Sequence, residues 1–173
     1  MAKRVPLLLL VFCLLLCLGQ ERSSAAPSPA TLSAHDFVRL IIPEAQVWAS
    51  VQVINQLPDG RWEEPNYVSA WVLAPYPGVF YLNRDDLGFR LDKLEPGSRA
   101  FLYRDWLMET DPVRLRVLKL EVIDASEEAN VWGQVGNGIF AFVASHPAKD
   151  PTAPQRLVVW AVANAKTKIK RQR

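Results

Sequence analysis

The acidic residues between positions 105 and 111 are the first group in the sequence whose type and spacing could do chemistry. Asp105, Glu109 and Asp111 occupy one short polar segment. Paired carboxylates can serve as general acid and base, as they do in glycoside hydrolysis, and His146 could act with them. A loop sets no fixed separation between such groups, so a solvated surface is the competing interpretation. A secreted hydrolase is the second alternative function.

Metal binding is poorly supported by the residue types. His35 and His146 are the two histidines, whereas zinc sites use three or four protein ligands and blue-copper sites require a cysteine. Residues 83–86 offer oxygen ligands of the kind that calcium prefers, but Arg84 would repel a cation and the EF-hand spacing is absent. We therefore expect no metal and no cofactor. No serine-hydrolase, β-lactamase or zinc-protease motif occurs. Enzymatic activity therefore stays uncertain, and a protein without catalytic activity is the favoured expectation.

Two tryptophans are candidates for ligand binding. Trp48 falls on the polar face of its predicted strand, and Trp62 follows a turn between charged residues. Exposed aromatic rings can stack on sugars or anchor a protein partner. A carbohydrate- or polymer-binding module is therefore the first alternative function. Trp71 and Trp160 lie in strongly apolar segments and are expected in the core.

Charge is distributed unevenly along the chain. Residues 26–165 contain 12 basic and 17 acidic side chains, which argues against nucleic-acid binding because that needs a positive face. Five basic residues follow in the last eight positions: Lys166, Lys168, Lys170, Arg171 and Arg173. This basic tail could contact an anionic membrane surface or a partner, or it could be a solubilising end.

The N-terminus has the pattern of a secretory signal peptide. Lys3 and Arg4 precede an apolar run at residues 5–18, and small residues follow up to Ala25. The run is about fourteen residues, shorter than the roughly twenty that span a bilayer as a helix. We predict cleavage near Ala25, a flexible leader at residues 26–32, and a periplasmic or secreted protein. An uncleaved anchor and a buried core helix are the alternatives.

Both cysteines, Cys13 and Cys17, lie inside that apolar run. Leu16 precedes Cys17 where a lipoprotein signal needs a small residue, which disfavours lipid attachment. Signal cleavage would leave a mature chain without a thiol or a disulfide, so its fold would depend on its apolar core.

The body of the chain, residues 33–165, has the pattern of short strands separated by glycine and proline turns. Residues 47–57 alternate between apolar and polar side chains, which predicts a half-buried strand. Further strands are predicted at residues 67–74, 79–82, 99–104, 114–124 and 157–163. Gly60 and Gly97 provide turn chemistry, and a change of frame predicts a bulge near residues 117–118.

Two segments near the ends of the domain complete the prediction. Residues 33–42 are predicted as a short helix that Ser33 and Asp36 cap and Pro43 ends. Residues 131–135 and 139–145 are predicted as a hairpin around Asn137 and its flanking glycines. The expected fold is all-β: one small antiparallel sandwich or barrel of about eight strands with one short N-terminal helix.

The function favoured by these patterns is an exported, non-catalytic binding or scaffolding domain of the cell envelope or secreted space. Its expected partner is a protein of the envelope, with a glycan as the other candidate ligand. The support is the predicted export, a full β core and the lack of a catalytic motif.

Overall fold

The computed structural model describes residues 33, 36–64, 70–82, 90–148, 150 and 152–164. Every described residue belongs to one compact unit, Thr31–Arg173. Several sequence predictions lie outside the described residues: the signal peptide, the leader, His35, the oxygen-ligand cluster at residues 83–86, and the basic tail at residues 166–173.

Strands dominate the described part of the chain. They are β1 (Arg39–Ile42), β2 (Val47–Ile54), β3 (Ala70–Leu73), β4 (Val79–Tyr81), β5 (Arg99–Tyr103), β6 (Val113–Asp124), β7 (Ile139–His146) and β8 (Gln155–Ala163). The α-helix of this part, α1 (Glu128–Trp132), connects β6 to β7. Short 3-10 turns occur at Pro43–Ala45, Leu91–Lys93 and Ala125–Glu127. No helix among these residues is long and apolar enough to span a bilayer.

The eight strands form a closed barrel in the order β1-β2-β3-β4-β7-β8-β6-β5, and β5 pairs with β1 to close it. The predicted all-β fold with about eight strands is confirmed, in its barrel form. Not every pair is antiparallel, however, because β3 runs parallel to β2 and β7 runs parallel to β4. At one end of the barrel, here the β7–β8 end, β7 finishes and β8 begins. The opposite, β5–β6 end carries the loop from β5 to β6.

Alternation along β2 follows the sequence pattern. Val47, Ala49 and Val51 point into the barrel, whereas Trp48 on the other side is 67% exposed. The predicted bulge in β6 is confirmed, since its register against β8 shifts between Val117 and Lys119. Leu115 and Val117, at odd-numbered positions, face the core before the bulge. Because the bulge reverses the alternation, the even-numbered Leu120 packs on the core after it.

Two predicted elements have the wrong type. Arg39–Ile42 is a strand and not the end of a helix, because it pairs with both β2 and β5 and so completes the barrel. Residues 131–132, predicted as a strand, belong to α1. The glycine turn at Asn137 therefore joins a helix to β7. Gly136 and Gly138 both have positive φ there, at 113° and 84°.

Apolar side chains form two clusters, one on each side of the sheet. The interior cluster takes residues from every strand, and its rings include Phe37, Phe80 and Phe140, with centroids 6.2–6.4 Å apart. The second cluster lies on the outer side of β2, β3, β4, β7 and β8. Val131 of α1 belongs to it, together with Tyr81, Val143, Val158 and Trp160 among others. The helix thus provides a second layer over this part of the barrel.

Candidate functional site

Ser145 is the buried polar residue of β7, a strand that is apolar up to that position. It lies one residue before the end of β7, on the same outer side as Ala141 and Val143. Its side chain is 4% exposed, and its Oγ has no hydrogen-bond partner among the described residues. Leaving a buried hydroxyl unpaired costs about 1–3 kcal/mol. An alanine would avoid that cost, so the hydroxyl marks this position as a candidate site.

Arg156 is the residue directly opposite Ser145 on β8. In an antiparallel pair, opposed side chains on one face have Cβ atoms about 5 Å apart. The Arg156 Nε donates to Glu128 Oε2 at 3.0 Å. Its Nη1 donates to the carbonyl oxygens of Ala153 at 2.8 Å and Gln155 at 3.0 Å. The side chains of Arg156 and Glu128 are only 15% and 20% exposed, so this cation is held in place beside the serine.

Helix α1 connects that ion pair to the outer surface of the barrel. Glu128 and Trp132 are four residues apart and therefore share one face of the helix. Trp132 Nε1 donates to the Tyr81 hydroxyl oxygen at 2.7 Å, and its ring stacks on Tyr76 with centroids 4.7 Å apart. Burial, followed by the neighbouring Glu128 carboxylate, raises the pKa of Tyr81 well above its usual value. Tyr81 is therefore a neutral phenol that can donate a hydrogen bond.

These groups lie at the carboxyl ends of two parallel strands. Tyr81 ends β4 and is paired with Val143 of β7, two residues before Ser145. A hydroxyl with a fixed guanidinium opposite it provides two components of an acyl-transfer site. The hydroxyl can be a nucleophile, and the cation can stabilise negative charge on a carbonyl oxygen.

The acidic loop predicted for acid–base chemistry lies at the opposite, β5–β6 end. Asp105 accepts hydrogen bonds from the backbone N–H groups of Glu109 and Thr110 at 2.9 and 3.1 Å and from the Thr110 hydroxyl. The Thr110 hydroxyl and then the Glu109 N–H lower the pKa of Asp105. This carboxylate therefore shapes its own loop, and Glu109 and Asp111 are exposed.

His146 does not join that loop, because it ends β7 at the other end of the barrel. It follows Ser145, so strand alternation turns its side chain to the other face. The structure thus separates the predicted acid–base partners. Within the described residues, no group of three or more His, Cys, Asp or Glu side chains is placed to hold a metal ion.

The two candidate tryptophans do not form one platform. Trp48 starts β2 and is exposed, whereas Trp62 is partly buried against the outer apolar cluster and is paired with Gln56. Eight residues of extended chain separate positions 48 and 56, which corresponds to about 26 Å. Trp160 is buried as predicted, and Trp71 is half-buried and stacks on Tyr81 at 4.1 Å.

Sequence reasoning missed Ser145, Arg156, Glu128 and Tyr81. The available signal was modest: a hydroxyl near the end of the apolar run at residues 139–145, and an arginine at the start of the next run. Their proximity depends on the pairing of β7 with β8 and on the position of α1. Neither could be obtained from spacing along the chain.

No protein-family model and no curated protein sequence matches the chain. Solved structures of sortases match its fold. Listeria monocytogenes sortase A has a TM-score of 0.54 at 15% identity, covering 75% of this chain and 88% of that one. Streptococcus pneumoniae sortase C has 0.53 at 16% identity, covering 75% and 69%. Clostridium perfringens sortase C with the C-terminal cell wall sorting motif has 0.52 at 13% identity, covering 78% and 74%.

These neighbours overturn the interpretation of the chain as a non-catalytic binding or scaffolding domain. Sortases are cysteine transpeptidases associated with the cell envelope and act on protein substrates. The chain departs from them in one chemical respect, since its cysteines are at positions 13 and 17, before the barrel. The likeness covers three quarters of the chain at low identity. The chain has the sortase-like β-barrel fold.

Proposed function

We propose that the protein is an exported acyl-transfer enzyme that acts on a polypeptide, with the Ser145 hydroxyl as its nucleophile. The observation that carries this proposal is the buried, unpartnered Ser145 Oγ directly opposite Arg156. The solved structures that match this fold are sortases, which are transpeptidases. A serine can perform the same covalent step as a cysteine when its surroundings activate it.

The reaction would proceed in two stages. Ser145 Oγ attacks the carbonyl carbon of an amide or ester in the substrate, and the hydroxyl proton leaves with the departing amine or alcohol. Arg156 stabilises the negative charge that develops on the carbonyl oxygen. Water or an amine then takes the acyl group from the serine and restores the hydroxyl. The first acceptor gives hydrolysis and the second gives transpeptidation.

Glu128 and Tyr81 are positioning residues in this proposal. Glu128 orients the guanidinium through its 3.0 Å hydrogen bond to Nε, which leaves other guanidinium N–H groups for the substrate. Tyr81 and Trp132 hold α1 against the barrel. The substrate would enter beside α1 and the end of β7, next to Ser145 and Arg156.

A polypeptide substrate and an envelope location are parts of the same proposal. The sortase neighbours act on proteins at the cell envelope. The proposal includes cleavage of the signal peptide near Ala25 and release to the periplasm or the medium. N-terminal sequencing of the native protein would test the cleavage site.

Active-site labelling with a fluorophosphonate probe is the decisive experiment, because such probes react with activated serine hydroxyls. The full-length protein should be labelled at one site, and S145A should remove the label. Ser50 offers a matched control, since it also lies opposite an arginine, Arg39, on an antiparallel neighbour. We expect S50A to be labelled like the parent protein.

Peptide mapping of the labelled protein completes the test. Modification at Ser145 supports the proposal, and slower labelling of R156A than of R156K would support the role of the cation. Labelling that survives in S145A contradicts the proposal. Failure of the folded parent protein to react also contradicts it.

A further inference from the structure

Three exposed arginines lie together on the outer side of β5 and the first half of β6. Arg99 is directly opposite Arg116, and Arg114 is directly opposite Phe101, which is half-buried. The residues that alternate with these four along both strands belong to the interior cluster, so the four side chains point outward. They are here called the arginine face. We propose that the arginine face binds an extended, acidic segment of a polypeptide partner.

The arrangement of the arginines opposes the stability of the free protein. Arg99 and Arg116 are directly opposed, which places their Cβ atoms about 5 Å apart, and like charges in this relation destabilise a sheet. The Glu44 carboxylate accepts a hydrogen bond from Arg99 Nε at 3.2 Å. Among the described residues, no carboxylate pairs with Arg114 or Arg116, and Arg116 Nη1 donates to the Gly97 carbonyl oxygen at 3.5 Å. An anionic partner would relieve this repulsion.

The strands on this side of the barrel are rich in positive charge. β1, β2, β5 and residues 113–117 of β6 contain four arginines and no acidic residue. The carboxylates of the β5–β6 loop lie beyond Tyr103, and four residues of extended chain, about 13 Å, separate Tyr103 from Arg99. Glu95, in the turn before β5, forms no ion pair with a described residue. The charge around Arg99 and Arg116 therefore stays positive.

The spacing of the arginines matches an extended polypeptide. Arg114 and Arg116 are two residues apart on one strand, which corresponds to about 7 Å. An extended peptide repeats the side chains of one face at the same interval. Acidic residues at alternate positions of a peptide that lies along β6 would therefore face one arginine each. A guanidinium can hold a carboxylate through two parallel hydrogen bonds, and Phe101 offers apolar surface beside them.

The charge of the body favours a polypeptide over a nucleic acid. Residues 26–165 contain 17 acidic and 12 basic side chains. A DNA duplex carries one charge about every 1.7 Å, so the acidic body would repel most of its length. A peptide with one charge at every second residue is repelled less. Every strand of the barrel already has two neighbours, so this contact uses side chains and not the addition of a strand.

The test measures the fluorescence anisotropy of a labelled peptide, in which glutamate alternates with threonine, during titration with the full-length protein. R114E replaces an attraction by a repulsion, so it should weaken binding by about tenfold. R61E is the matched control, because Arg61 is also exposed but pairs with Asp59 in the turn after β2. It changes the net charge equally and should weaken binding by less than about twofold. Circular dichroism would check that both variants are folded.

A second peptide of the same composition, with its glutamates in adjacent pairs, tests the spacing. It should bind about threefold more weakly, because it can present one carboxylate at a time to Arg114 and Arg116. Equal binding of the two peptides would contradict the extended register. Unchanged binding to R114E would assign the peptide to another basic part of the chain and overturn the inference. Tighter binding of a single-stranded DNA of equal charge would also overturn it. The readout is binding alone, so the result is independent of the chemistry proposed for Ser145.

Discussion

Ser145 and Arg156 face each other across the antiparallel pair of β7 and β8, on the outer side of the barrel. The arginine is already engaged by Glu128 and two backbone carbonyls, and the serine Oγ has no partner among the described residues. This asymmetry has a measurable cost, because a buried hydroxyl that gains no hydrogen bond destabilises the native state. A functional group retained at the expense of stability is typical of enzyme sites.

We therefore expect S145A to be more stable than the parent protein, by about 1 kcal/mol in free energy of unfolding, while it loses fluorophosphonate labelling. Urea denaturation followed by circular dichroism would measure the change. S145A that unfolds at lower urea concentration than the parent would mean that the hydroxyl has a structural partner. The site assignment would then lose its main support.

The Arg156–Glu128 pair should matter far more than an exposed pair. E128A leaves the partly buried guanidinium without its carboxylate, so we expect a loss of about 2 kcal/mol. The control is E44A, which breaks the exposed pair of Arg99 and Glu44. It should change stability by less than about 0.5 kcal/mol. Equal effects in urea denaturation would show that α1 is held mainly by its apolar contacts.

Acid should destabilise the protein through Glu121. Its carboxylate accepts from Lys119 Nζ and from Trp160 Nε1, both at 2.6 Å. The Lys119 hydrogen bond, with a further contribution from Trp160, lowers the pKa of Glu121. Because the folded pKa lies below the unfolded value, this contribution is present above the unfolded pKa and is lost as pH falls through the folded one.

The variant E121Q should therefore lose less stability than the parent between about pH 5 and pH 3. Urea midpoints measured across this range would reveal the difference. The other described carboxylates with a lowered pKa are present in both proteins, so their contributions cancel in the comparison: Asp59, Asp105 and Asp150. Parallel acid curves for the two proteins would contradict the assignment to Glu121.

Gly78 is a position where the fold leaves no room for a side chain. An added Cβ would lie 3.0 Å from Val135 Cβ and 3.2 Å from the Ile139 carbonyl oxygen. We expect G78A to destabilise the barrel by about 1–2 kcal/mol. G133A is the matched control, because its nearest neighbour would be 3.8 Å away and its φ is −73°. In thermal denaturation, we expect G133A to unfold at the same temperature as the parent protein or at a slightly higher one.

The parts of the fold that local chemistry determines were predictable from the sequence. The exposure of Trp48, the bulge after Val117, and the turns at Gly60 and Gly97 each follow from alternation or from the need for positive φ. These features depend on a few neighbouring residues. The all-β class followed from the number and spacing of the predicted strands and turns.

Features that depend on distant partners were missed. Arg39–Ile42 is a strand because β2 and β5 flank it. The capping pattern of Ser33 and Asp36 before it had favoured a helix. Trp132 belongs to a helix, and its side chain donates a hydrogen bond to Tyr81, about fifty positions earlier in the chain. This distant contact overrides the local preference for a strand. Ser145 became a candidate only when β8 placed an arginine opposite it. Tertiary pairing decides each of these cases.

The closure of the barrel between β1 and β5 restricts how a peptide can bind. Open sheets often capture an extended peptide as one more strand on a free edge. In a sheet closed on itself, the backbone groups of each strand are already used by two neighbours. A polypeptide substrate must then be recognised through loops and side chains above the sheet. Sequence selectivity of the proposed enzyme would accordingly reside in the exposed residues of α1 and in side chains near the end of β7.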